Sequence, residues 1–424
     1  MKVARVTVTP IAFRDPPLLN ASGIHEPYAL RSILEVESDN GFVGLGETYG
    51  DAPVLALLQR LAPELVGLDV HDLNGLRARV SATALDLARS HTGGAELAPG
   101  SQGARLSSNG CSAFEVALLD LQARARGIRL VDLLGGAVRT RVPFSGYLFF
   151  KYGRHVEAPY DPDPWGEALE PDQIVAQARR MIGLYGFRSL KLKAGALDPE
   201  HEVTCLKALR GAFPDLPLRI DPNASWTLET AVRMAERLKG DLEYYEDPTA
   251  GLEGMAELHR RTGLPLATNM VVTGFDGLRR AIELRSVQIV LADHHYWGGL
   301  HETRVLARMC QVFGLGLSMH SNSHLGISLL AMSHVAASIP NLSYACDTHY
   351  PWQEDEDEVI AGGKVPIRDG AVSIPDAPGL GVDLDRDRLR RLHEQFLACG
   401  IRCRDDVGQM RKYDPAWTGV SPRF

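Results

Sequence analysis

Apolar and polar positions alternate at the start of the chain, in KVARVTVTPIAF at 2–13 and in LRSILEVES and FVGLGE within 29–48. A period of two is the mark of half-buried strands, and these stretches predict three of them. Asp39-Asn40-Gly41 between the second and third is a hairpin signal. The period then lengthens, and 53–66, 70–90, 111–126 and 130–134 predict helices. Between the second and third of these, HTGGAELAPGSQGARLSSNG at 91–110 is rich in Gly, Ser and Ala and predicts a mobile loop. Strands followed by helices predict an α+β domain over 1–140.

From VPFSGYLFF at 142–150 onward the pattern becomes a regular beat. Short apolar runs near 187–193, 217–223, 242–248, 265–270, 287–293, 314–320 and 343–349 predict seven further strands. Helix-like runs such as ETAVRMAERL and LHETRVLARMCQVF lie between them. Polar residues mark successive strand ends: Lys193, Asp221, Glu246, Asn269, Asp293 and His320, spaced 28, 25, 23, 24 and 27 residues apart. A strand–helix unit at this pitch predicts a parallel barrel, in which polar groups at C-terminal strand ends meet at one mouth. The expected division is a capping domain at 1–140, a barrel at 141–383 and a tail at 384–424. The tail, with a helix over 384–398 and then Arg404-Asp405-Asp406, is expected to return to the first domain.

Two features of this beat bear chemistry. In FRSLKLKAG, Lys191 and Lys193 stand two apart on a strand and share a face. Like charge and burial both disfavour an ammonium, so lowered lysine pKa values and a base are expected. Asp221, Glu246 and Asn269 end consecutive strands and offer only oxygen donors, a set suited to Mg2+. Asp293 and His320 end neighbouring strands, so the carboxylate can orient the imidazole. A base on each face of a carbon with a metal between suits removal of a proton beside a carboxylate. The loop 15–27, long and Pro-flanked, carries Asn20 and His25 and is expected to close over the mouth.

Composition narrows the partners. The chain has 424 residues, 45% of them hydrophobic and 23% charged, as a large globular core requires. A net charge of -8 offers no field to nucleic acid or an anionic membrane, so attraction for an anionic substrate must be local. Cys111, Cys205, Cys310, Cys346, Cys399 and Cys403 are irregularly spaced, which favours reduced thiols and a cytoplasmic protein over a disulfide or zinc framework. The chain begins with a strand pattern rather than a signal segment, and no apolar run is long enough to span a bilayer.

The motifs FRDPPLLNASGIHEPYALR, GLGETYGD, GYLFF, SLKLKAG, IDPNASW, YYEDP, LATNM, LADHHYWGG, MHSNSHLGISLLAMSHVAA, DTHYPWQ and RDD run from one end of the chain to the other. In combination they resemble the enolase superfamily, and within it the glucarate dehydratase group. The resemblance implies an α/β fold, a modified (β/α)7β TIM barrel under an α+β cap built from both ends of the chain. It implies a Mg2+-dependent lyase in which a Lys or His base works beside the metal. By matching position, Lys193 looks like the base, Lys191 its partner, and His320 with Asp293 the opposite acid/base. Asp221 and Asn269 look like metal ligands, and Asn223 and Asn322 like substrate-binding or electrophilic groups. Asn20, His25, Ser112, Tyr147, Ser321, His349 and Arg404 match positions around the acid sugar. The segment TAGLEG after YYEDP is shorter than in that group and lacks the Glu that some members use as third ligand. Glu246 is then the expected ligand, with Glu253 the alternative.

Other residues point to packing. His295 reads as a rim or packing residue rather than a ligand, Trp226 and Trp297 as aromatic packing, Glu354–Glu358 as a solvated face and His334 as a buried core histidine. The leading expectation is a dehydratase of a dicarboxylic acid sugar such as D-glucarate, in a homo-oligomer. A dehydratase or epimerase of another acid sugar, for example galactarate, and a catalytically silent barrel that only binds metal or diacid are the alternatives.

Overall fold

The computed structural model describes residues 1–90 and 102–424. The opening alternation folds as an antiparallel sheet of β1 (Val3–Arg14), β2 (Tyr28–Ser38) and β3 (Val43–Tyr49) in that order. Helices α1 (Ala52–Glu64), α2 (Leu73–Ser90) and α3 (Gln102–Ala125) cover one face of it. Leu34, Leu57, Leu61, Val80, Phe114 and Leu118 make their common core. A one-turn helix, α4 (Leu130–Leu133), follows. The expected loop at 91–110 is corrected in part: from Gln102 the chain is helical, and 91–101 lies outside the described residues. Packing overrides composition here, because a Cβ on Gly110 would lie 2.7 Å from Leu57 and 3.0 Å from Val80. The missing side chain lets α3 lie flush on α1 and α2.

Eight strands then alternate with seven helices. They are β4 (Arg141–Phe149), α5 (Pro171–Tyr185), β5 (Leu190–Lys193), α6 (Pro199–Ala212), β6 (Leu218–Asp221), α7 (Leu228–Arg237), β7 (Tyr244–Glu246) and α8 (Gly251–Thr262). After them come β8 (Leu266–Thr268), α9 (Phe275–Leu284), β9 (Ile289–Ala292), α10 (Leu300–Phe313), β10 (Gly316–Met319), α11 (Gly326–Ser338) and β11 (Cys346–Thr348). Successive strands from β4 to β10 pair in parallel, and β11 pairs in parallel with β4. Ser343 and Tyr344 donate backbone N–H groups to Leu317 O, which joins β10 to the approach of β11. This is the expected (β/α)7β barrel.

The tail continues through a hairpin, β12 (Ile367–Arg368) and β13 (Ala371–Ser373), whose second strand lies antiparallel on β4. Helix α12 (Arg386–Cys399) then returns to the cap and packs on β1. There His393 Nδ1 meets Pro10 O at 2.7 Å, Gln395 Nε2 donates to Ala12 O at 2.8 Å, and Arg386 pairs with Glu35 at 2.5 Å. A last helix is α13 (Asp406–Arg411). Among the described residues no helix is long and apolar enough to cross a membrane.

Two packing expectations divide. His334 is buried in α11, accepting from Val131 N at 3.0 Å, and burial pushes its pKa down to about 4. The acidic run Glu354–Glu358 is not wholly solvated: Asp357 and Glu358 are fully buried. Glu358 accepts from Gly326 N, the first residue of α11, and from the Tyr350 hydroxyl, while Asp357 holds Arg14 at 2.7 Å. A carboxylate at a helix N-terminus satisfies donors the helix itself cannot.

Candidate active site

The strand β5 is buried along its whole length, Lys191 and Lys193 included. The turn after it is fastened by the buried Glu202 of α6, which accepts from Gly195, Ala196 and Leu197 N–H at 2.8, 3.0 and 2.9 Å. Gly195 adopts φ +86°, and a Cβ there would lie 2.2 Å from Pro222 O, so only glycine fits between the ends of β5 and β6.

Both lysines reach carboxylates at the mouth. Lys193 Nζ lies 2.6 Å from Asp221 Oδ2. Lys191 Nζ lies 2.6 Å from Glu246, 2.7 Å from Asp347 and 3.5 Å from Asp221, over the ring of Tyr147 at 4.5 Å. Burial would depress Lys191, but Asp347 and Glu246 outweigh it and hold its pKa well above the ordinary value. The expectation of a lowered lysine pKa is therefore corrected at Lys191. The partner that reverses the sign, Asp347 on β11, lies 156 residues away. Lys191 is a fixed ammonium.

Asp221, Glu246 and Asn269 are brought together. Asn269 Nδ2 donates to Glu246 Oε1 at 2.7 Å, so the amide oxygen remains as an electron-pair donor. Asp247 accepts from Asn269 N at 2.9 Å and from Thr268 Oγ1 at 2.5 Å, and so fixes that amide. Burial and the Asp221 charge push Glu246 well above the ordinary carboxylate range. Crowded buried carboxylates with an amide oxygen are the donor set of a hard divalent cation, so the residues fit Mg2+. Glu253 is exposed on α8, 3.4 Å from Arg280, and takes no part. Asn223 is in the left-handed region (φ 51°) and folds its amide back on Asp221 Oδ1 at 3.2 Å.

On the other side, His320 Nδ1 lies 3.0 Å from Asp293 Oδ2, and its ring stacks on Tyr296. Burial opposes ionisation of Asp293, but His295 and His320 bring its pKa well below the carboxylate range. His295, expected at the rim or in packing, is buried, and its Nδ1 takes Asp293 Oδ1 at 2.8 Å. Asn322 Nδ2 reaches the hydroxyls of Tyr49 and Tyr296, each at 3.3 Å.

The loop 15–27 does lie over the mouth. His25, 2% exposed, stacks on His349 at 6.3 Å and meets Phe149 edge-on, with Asp15 holding its Nδ1 at 3.0 Å. Tyr147 and Ser321 touch the same His349, Tyr147 at 4.7 Å between ring centroids and Ser321 Oγ at 3.5 Å. Burial and the neighbouring His25 keep His349 neutral. Asn20 Nδ2 donates to Asp406 Oδ2 at 2.7 Å, and Arg404 pairs with the same carboxylate at 2.6 Å. Ser112 is buried on α3 with its hydroxyl unpartnered, and among the described residues no hydrogen bond ties it to this group. Trp226 and Trp297 are packed, Trp226 on Tyr245 and Trp297 on Phe275.

Sequence reasoning missed Asp347, Asp406, Asp15, Tyr296, Arg31 and Glu47. All six lie within the motifs quoted above without a role being read for them, and Asp347 also continues the strand-end beat 27 residues after His320.

Comparison with known proteins bears on the family and the fold. Residues 5–135 match the mandelate racemase / muconate lactonizing enzyme N-terminal domain, and 173–388 match the enolase C-terminal domain-like family. A Streptomyces coelicolor protein named probable glucarate dehydratase is 48% identical, covering 100% of this chain and 99% of its own. A crystal structure of an enolase from Pseudomonas fluorescens, with bound magnesium, potassium and tartrate, is 68% identical. It superposes with a TM-score of 0.97 over 100% of this chain and 99% of its own. A second, from Thermobispora bispora with magnesium and formate, is 50% identical, with a TM-score of 0.95 over the full length of both chains.

Proposed function

This chain belongs to the mandelate racemase and muconate lactonizing enzyme family, and from that premise we propose that it is a Mg2+-dependent dehydratase of a dicarboxylic acid sugar, with D-glucarate or a close hexarate as substrate. The observation that carries the reading is the buried mouth itself. A lysine pair, a three-oxygen donor set and a carboxylate–imidazole dyad are all contributed by strand ends of one barrel. The relative named probable glucarate dehydratase supports the substrate class, and the magnesium in two relatives supports the metal.

Asp221, Glu246 and Asn269 would hold Mg2+, which supplies positive charge to a substrate carboxylate as electrons move onto it. Lys193 Nζ removes the proton α to that carboxylate. The electrons of the broken C–H bond pass into the enediolate, where the fixed charge of Lys191 stabilises them. They return to form the C=C bond as the β C–O bond breaks. The departing hydroxide takes the proton of the His320 imidazolium, so one water leaves and a 5-keto-4-deoxy hexarate remains after tautomerisation. Asn223 and Asn322 orient substrate hydroxyls, and His25, Ser112, Tyr147, Ser321, His349, Asn20 and Arg404 enclose the sugar chain and exclude water. In this reading the cap spans 1–140, the barrel 141–383 and the returning tail 384–424.

Incubation with Mg2+ and a panel of hexarates, followed by detection of a keto acid, tests it. Deuterium exchange at the α carbon without product would replace dehydration by epimerisation. Binding without exchange would end the enzymatic reading of this site.

A further inference from the structure

The Asp293 carboxylate is shared. Its Oδ2 faces His320 Nδ1 at 3.0 Å, and its Oδ1 faces His295 Nδ1 at 2.8 Å and His295 N–H at 2.9 Å. We propose that His295 is a positioning residue for His320, drawing on the same carboxylate and thereby keeping the His320 imidazolium a stronger acid than an isolated Asp–His pair would. The inference rests on the role given to His320 in the proposed dehydration.

The second imidazole is anchored from the cap. Its Nε2 lies 3.1 Å from Ser328 Oγ on α11, 3.3 Å from Arg31 Nη2 on β2 and 3.3 Å from Glu47 O on β3. Arg31 donates in turn to Ser328 Oγ at 3.1 Å and to Glu47 Oε1 at 2.8 Å. The Ser328 hydroxyl, accepting from Arg31, can give its own proton to His295 Nε2. With Nε2 accepting from Ser328 and Arg31, the ring proton sits on Nδ1, pointing at Asp293, and Glu47 O is a neighbour of Nε2 and not its hydrogen-bond partner. Tyr49 packs edge-on against His295.

The charges facing His295 are then few. His294, whose ring is tilted against it with centroids 4.0 Å apart, is held neutral by burial and by His295 itself. His324 is pushed by burial down to about 3 and is neutral. Arg31 is matched by Glu47, whose pKa the Arg31 charge draws down despite burial. Asp293 is the carboxylate that both rings face, one on each oxygen. A carboxylate that already accepts an N–H on one oxygen is a weaker acceptor on the other, so it stabilises the His320 imidazolium less. Elimination needs that weakness, because the proton must leave His320 as the hydroxide departs.

The test uses the Mg2+-loaded full chain. The His320 pKa is read by 15N NMR titration, with the resonance assigned from His320→Asn. In His295→Leu it should rise by about half to one pH unit, the equivalent of one net hydrogen bond. His295→Asn, which restores a donor toward Asp293, should return at least half of that shift. The descending limb of the kcat pH profile should move upward with it, a change that mere loss of packing does not produce. Ser328→Ala, which removes only the hydroxyl on Nε2, should give a smaller upward shift even if the leucine variant does not fold. A His320 pKa unmoved or lowered in the variants that fold would overturn the inference. The titration needs no turnover, so failure to dehydrate any hexarate would sink the functional reading while leaving this one standing.

Discussion

Replacing Arg31 by leucine should be among the most damaging single changes outside the strand ends. Arg31 is 1% exposed, and its partner Glu47 is 2% exposed. Removing the guanidinium leaves a buried carboxylate without its countercharge, which costs on the order of 3–5 kcal/mol when nothing compensates. Here something does, since Glu47 also accepts Leu325 N and Ser328 N, both at 2.8 Å, at the start of α11. Those two bonds and the helix dipole keep the expected loss near the low end, about 3 kcal/mol at pH 7. Urea unfolding followed by tryptophan fluorescence reads it. The sign of the pH dependence follows from Glu47. In the parent its pKa is lowered, so its contribution to stability is present above about 4.3, the unfolded value, and fades as pH falls through the lower folded value. In Arg31→Leu burial dominates and the folded pKa rises above the unfolded one. The penalty is then full at neutral pH and shrinks as acid protonates the carboxyl. The difference between parent and variant should therefore narrow from pH 7 toward pH 4, and Arg31→Leu/Glu47→Gln should recover much of the loss. A loss below about 1 kcal/mol, or one independent of pH with no recovery in the double variant, would refute the unpaired-charge argument.

Chelation with EDTA should abolish turnover and Mg2+ should restore it; activity after complete metal removal would exclude the donor set. Glu246→Gln should weaken Mg2+ binding by calorimetry far more than Glu253→Gln, whose side chain is exposed. Lys193→Ala should stop α-proton exchange from one stereoisomer, and His320→Asn should stop dehydration by a factor of roughly 10²–10⁴ while leaving Lys193-dependent exchange in D2O. Near-normal dehydration by His320→Asn would mean another group is the acid. His25→Ala should lower turnover of the acid sugar with Mg2+ affinity unchanged, and an equal loss of metal binding would make the loop a structural support instead.

The barrel was legible because its strand ends repeat. Asp221, Glu246, Asn269, Asp293 and His320 each follow a short apolar run at similar spacing, and parallel strands in register carry such residues to one mouth. What escaped was pairing over distance. The sign of the Lys191 shift depends on Asp347, and the environment of Asp293 depends on Arg31, 264 residues from His295. A local pattern says which face a side chain takes, not which charge it will meet there. Residues 102–110 escaped for a related reason. The glycine and serine content favours a loop in isolation, but the missing side chain at Gly110 suits a helix pressed against α1 and α2. Asp357 and Glu358 were masked by an acidic neighbourhood whose other members face solvent.

The clasp between Asn20 and Asp406 also has a history in time. Its two halves are 386 residues apart, and Ile24 N reaches the backbone of Asp406 as well. During synthesis the loop over the mouth is made before the barrel, and the carboxylate that ties it down follows it by 386 residues. At ordinary rates of translation, about 5–20 residues per second, roughly 20–80 s separate them. A nascent chain can therefore close its barrel while the mouth still lacks its cover. The residue that ties down the cover is thus made only after the whole barrel beneath it, whose last strand ends at Thr348.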